Sequence, residues 1–158
     1  MNTIKIINPH GKNNATGDPG GSMVIKSFIS SKNFYNELST YYRVKGYITR
    51  NPNCHFRLPE IIDIREYSDE IVYEYCGNEL RGGNIEDEEI ARNTIDKIHD
   101  LAMKINLIPT EVTMLEPLHK NKNTVTICDF ENWYSPGTSF VELMEEWKNK
   151  ELEKWRKK

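Results

Sequence analysis

The hydrophobic pattern of this chain changes period near Gly77, and that change limits the folds open to it. Before Gly77, apolar residues come in short runs bounded by turn formers, the mark of strands. After Gly82 and Gly83 they recur as Ile85, Ile90, Ile95, Ile98, Leu101, Ala102 and Ile105, a helical stripe over 85–105. The acidic run Glu86 to Glu89 sits in its first turn, where a helix dipole favours it. Strands in front and a main helix behind predict an α+β fold in two unequal parts.

Within the first part the sequence predicts strands over 4–7 and 23–28, separated by a loop over 8–22 rich in Gly and Pro. Ser31 or Asn33 is expected to cap a helix over 32–44, with Phe34, Leu38, Tyr41 and Tyr42 on its apolar face. Two further strands, 58–67 and 70–76, flank the turn at Ser68 and Asp69. In the second part, Pro109 closes the 85–105 helix. Then follow a short apolar stretch over 112–118, a polar turn over 119–123, a strand over 124–130 and an amphipathic helix over 139–157. That last helix carries Phe140, Leu143, Met144, Trp147 and Trp155, a stripe expected to pack into the core.

Composition narrows the function classes. With a net charge of −3, nothing favours nucleic acid, and the basic tail at Lys154, Arg156, Lys157 and Lys158 reads as a solvated helix end. No apolar run approaches the ~18 residues of a membrane span, so no membrane partner is expected. Cys54, Cys76 and Cys128 form an odd set without metal-ligand spacing, which points to a reducing, cytoplasmic compartment and leaves the Asn14-Ala15-Thr16 sequon silent. The abundance of Asn, Lys and Ile suggests an AT-rich genome, such as that of a virus, a phage or an AT-rich microbe.

The order of these pieces resembles the protein kinase and aminoglycoside-phosphotransferase superfamily over residues 20 to 135. Met23-Val24-Ile25-Lys26 is similar to the strand whose lysine meets the α and β phosphates of ATP, and Glu37 stands where a helix glutamate orients that lysine. Glu70 to Gly77 resembles the strand entering the interlobe hinge. By that match Tyr73 is the gatekeeper, and the backbone of Glu74, Tyr75 and Cys76 meets the adenine edge. Ile127-Cys128-Asp129-Phe130-Glu131 resembles the metal-binding aspartate motif, with Asp129 on Mg²⁺. His99-Asp100-Leu101 matches a structural helix element of the family.

The resemblance implies a small bilobal kinase-like fold in a single domain over 1–158. Its β-rich N-lobe covers 1–76, the hinge lies at 74–77, and a reduced helical C-lobe covers 78–158. It departs from the family in two places. Gly17-Asp18-Pro19-Gly20-Gly21 stands in for the phosphate-covering glycine loop. Glu111, 18 residues before Asp129, occupies the position of the catalytic aspartate, and Glu116, five residues on, that of a metal-binding asparagine. Compact kinase-like effectors of pathogens and viruses are similarly truncated, which would put the chain in a host cytosol.

Three readings follow. The first is an atypical minimal protein kinase moving the ATP γ-phosphate to a protein hydroxyl, with Lys26, Glu111 and Asp129 as catalytic residues and Asp129 and Glu116 on Mg²⁺. The second is a pseudokinase that binds nucleotide or a partner protein without turnover. The third is an unrelated α+β interaction domain.

Overall fold

The computed structural model describes residues 3–7, 22–80, 85–116 and 124–155. The Gly17 to Gly21 segment, the sequon, the 119–123 turn and the tail beyond Trp155 lie outside them. Among the described residues the fold is mixed α+β, with three α-helices and two sheets. The first sheet contains β1 (Thr3–Ile7), β2 (Met23–Ser27), β4 (Ile61–Arg65) and β5 (Glu70–Glu74), in the antiparallel order β1-β2-β5-β4. The second contains β3 (Phe56–Arg57), β6 (Thr113–Leu115) and β7 (Val125–Cys128), in the order β3-β7-β6.

Helix α1 (Ser31–Arg50) lies between the sheets in sequence and is longer than the 32–44 expected. Its cap is Ser30, whose Oγ accepts from Asn33 N at 3.2 Å. The helix runs on past 44 because Tyr47 and Ile48 continue its apolar face against the core. That face buries Phe34, Glu37, Thr40, Tyr41 and Val44, so one carboxylate is enclosed in a mostly apolar stripe. Helix α2 (Ile85–Ile105) begins and ends as the period predicts. Arg43 of α1 donates to Ile105 O at 2.8 Å, which satisfies a carbonyl at the end of α2.

Strand β4 stops at Arg65 rather than at residue 67, because Glu66–Ser68 winds into a 3-10 turn and Asp69 takes a left-handed φ of 52°. Strand β7 stops at Cys128 because Asp129 turns out of it with φ 73°. Aspartate tolerates that region better than most residues. Helix α3 (Phe140–Lys154) packs on α2, bringing Glu145 to 3.7 Å from His99. Phe34, Ile95, Ile98, Leu101, Ile127, Phe130, Trp133 and Met144 form one core joining both sheets and all three helices. No helix among the described residues is long and apolar enough to cross a membrane.

Candidate functional site

Among the described residues, one buried cluster of charge sits beside the core around Lys26. Lys26 points inward from β2 and is 5% exposed, which is tolerable only with partners. Its Nζ lies 3.1 Å from Glu37 Oε1, 3.3 Å from Glu37 Oε2, 3.0 Å from Asp129 Oδ1 and 3.8 Å from Glu131 Oε1. The Phe28 ring lies 5.0 Å from the same ammonium. Lys26 and Asp129 are 103 residues apart in sequence, so their contact is a product of the whole fold.

Glu37 is the most enclosed member, at 1% exposure. Besides Lys26, it accepts from Tyr73 Oη at 2.7 Å and from the Phe130 backbone N at 2.9 Å. Helix α1, strands β2 and β5 and the turn after β7 therefore meet on one carboxylate. The Asp129 carboxylate is shared. Oδ1 takes Lys26, and Oδ2 takes the Thr113 hydroxyl from the neighbouring strand β6. Asn36 of α1 holds the backbone beyond it, donating to the carbonyls of Glu131 and Trp133.

Burial would lower the Lys26 pKa, yet the charges of Glu37 and Asp129 outweigh it and hold the ammonium above the usual lysine range. Burial, and then Glu37, push the Tyr73 phenol well above its ordinary value. A pKa raised on folding stabilises the fold fully below the unfolded value and loses that contribution as pH rises through the folded one. Stability should therefore hold up to about pH 10 and fall above it. Tyr73→Phe should make that fall shallower in an alkaline series of denaturant melts, and an unchanged slope would deny Tyr73 the role.

A cleft of about 180 Å³ opens beside this cluster, lined by Val24, Lys26, Tyr73, Cys76, Thr113 and Asp129 among others. Pockets that enclose a whole cofactor run to roughly 300–1,000 Å³, so this one has room for no more than part of such a molecule. At its far wall β5 runs into Gly77, whose φ of 102° turns the chain away. Tyr75 N is taken by Ser22 O at 3.1 Å and Glu74 N by Glu60 O at 2.9 Å. Glu60 N turns to the Glu74 side chain, and the Glu74 carbonyl accepts from the Cys76 thiol at 3.8 Å. Among the described residues no backbone group takes the Cys76 N–H. Burial pushes the Cys76 thiol up to about 11, leaving it protonated and inert at neutral pH.

No protein-family model matches the sequence, and no curated protein matches it. The geometry therefore carries the functional reading by itself.

Of the residues singled out by sequence, Lys26, Glu37, Tyr73 and Asp129 meet at one point. Glu111 and Glu116 do not join them. Glu111 is exposed; its backbone carbonyl accepts from Trp133 Nε1 at 3.0 Å, while its carboxylate makes no hydrogen bond or ion pair with another described residue. The β6–β7 register pairs Thr113 with Cys128 and Leu115 with Thr126, which sets Glu116 opposite Val125. That is four residues, or about 13 Å, along the strand from Asp129, on the face opposite Thr113. No group of three or more His, Cys, Asp or Glu able to hold a metal occurs among the described residues. Asp129 alone still suits a nucleotide-borne Mg²⁺, which needs one or two protein oxygens beside phosphate and water. Thr113 and Asn36 were given no role by the sequence, and Glu131 was quoted in the Asp129 motif without one, because each acts through a contact with a remote segment.

Proposed function

We propose that this chain is a minimal kinase-like protein that binds ATP with Mg²⁺ in the cleft between its two sheets. The observation that carries this reading is the Lys26 ammonium bridging Glu37 and Asp129. A cation aimed by one carboxylate, beside a second carboxylate at a strand end, suits phosphate oxygens and their metal. The backbone of Glu74 and Cys76, residues that line the cleft, suits the hydrogen-bonding edge of adenine, with Tyr73 behind it. Phosphoryl transfer to a protein hydroxyl is the reaction such a site performs when a base is present.

A second reading, nucleotide binding without turnover, is favoured by the acidic residues of 111–116. An exposed Glu111 without side-chain partners is poorly positioned for proton transfer, and positioning is most of what this chemistry needs. The distance of Glu116 from Asp129 removes a second carboxylate from the metal.

Thermal unfolding with Mg·ATP separates these readings. At a ligand concentration 100-fold above Kd, binding stabilises by about 2.7 kcal/mol. For a domain of this size that is a rise of roughly 5–10 °C. The rise should vanish in Asp129→Ala, and the absence of any rise in the wild type would overturn both readings. Transfer of radiolabel from ATP to the protein, lost in Glu111→Gln, would establish the enzyme; binding without label would establish the second reading.

A further inference from the structure

The Asp129 carboxylate is gripped from two sides, and the second grip comes from a residue with no other assignment. Thr113 pairs with Cys128 across the β6–β7 ladder, and Asp129 leaves β7 with a positive φ that swings its carboxylate back over β6. There the Thr113 hydroxyl donates to Oδ2 while Lys26 occupies Oδ1. Both Thr113 and Asp129 line the same cleft.

A hydroxyl has one proton and two lone pairs. The proton of Thr113 is committed to Asp129, so its oxygen turns lone pairs to the cleft as an uncharged acceptor. Donation to a carboxylate also increases electron density on that oxygen, making it a better ligand for a hard cation. Threonine and serine hydroxyls bind Mg²⁺ in this manner beside an aspartate in other nucleotide sites. We infer that Thr113 is the second protein ligand of the nucleotide's divalent cation. Together with Asp129 it supplies the one neutral and one charged oxygen that a phosphate-bound Mg²⁺ accepts. This assignment rests on the cleft being a Mg·nucleotide site.

The charge balance adds a condition. Lys26 already sits on Asp129, so a divalent ion beside it is acceptable only when phosphate brings compensating negative charge. Cation binding should therefore depend on nucleotide.

The test titrates Mn²⁺, followed by electron paramagnetic resonance, against the full chain with and without ATP. Three forms are compared: wild type, Thr113→Val and Thr113→Ser. Loss of a metal ligand or its close support weakens cation affinity by about 10–100-fold, and that is expected for Thr113→Val, whereas Thr113→Ser stays within about threefold of wild type. In Thr113→Val the melting temperature of the free protein should fall by a few degrees, the effect of the lost hydrogen bond to Asp129, and any change in ATP affinity measured in EDTA should be smaller than the loss of Mn²⁺ affinity. Three results overturn the assignment. If wild type and Thr113→Val bind Mn²⁺ equally, Thr113 is no ligand, yet the nucleotide reading stands. If Thr113→Val loses metal-free ATP affinity by as much as it loses Mn²⁺ affinity, its role is structural. If wild type binds no Mn²⁺ with ATP present, the assignment falls together with the nucleotide reading.

Discussion

Replacing Lys26 by methionine should lower the unfolding free energy by about 3–5 kcal/mol, which for this size of domain is a drop on the order of 10 °C in Tm. Methionine fills much the same volume, so the loss is not a cavity effect. It arises because Glu37, 1% exposed, loses the ammonium paired with it, and Asp129 and Glu131 lose that partner at the same time. The Tyr73 hydroxyl and the Phe130 N–H still donate to Glu37, but two neutral donors do not replace an ammonium.

The double variant Lys26→Met/Glu37→Gln separates pairing from packing. Its amide oxygen still accepts one of those donors, and the uncompensated charge is gone. It should recover about 2 kcal/mol of the single-variant loss, measured as the coupling energy of a double-mutant cycle by urea denaturation. Additive effects would mean that Lys26 and Glu37 stabilise the fold independently. Nucleotide binding should be lost in both variants, because neither presents a cation to phosphate.

The ease of reading different parts of this chain follows from how local their causes are. The limits of α2 were legible because a 21-residue stripe with acids in its first turn needs no outside information. The paired strands β4 and β5 were legible for the same reason, being joined by a short turn. Glu37 was singled out only through the resemblance, and its place on the buried face of α1, between Phe34 and Tyr41, shows only in the fold. Thr113 could not be found even that way. Counting back from Asp129 assumes a fixed length for the connection between β6 and β7, but register decides which residue faces Asp129, and the pairing of Thr113 with Cys128 exists only once the sheet forms. Strand β3, two residues long beside the left-handed His55, has no period to read.

Trp133→Ala is expected to cost about 3–5 kcal/mol, the usual range for emptying a fully buried large aromatic position. Trp133 is 1% exposed and meets the Phe130 ring edge-on at 5.1 Å. Its effect should extend beyond the cavity. The indole N–H donates to Glu111 O, and the backbone of Trp133 accepts from Asn36 at 3.2 Å. The residue thus ties the turn after Asp129 both to the chain entering β6 and to helix α1, the two elements that carry Thr113 and Glu37. Without it, Asp129 loses the frame that aligns it with both partners. Trp133→Phe keeps most of the buried surface and loses only the hydrogen bond, at a cost of about 1–2 kcal/mol. Mg·ATP affinity, measured at a temperature where each variant remains folded, should fall in Trp133→Ala and stay near wild type in Trp133→Phe. Equal affinities in all three forms would mean that the 129–134 turn is held by Asn36 and the β6–β7 ladder alone, and that Trp133 serves only the core.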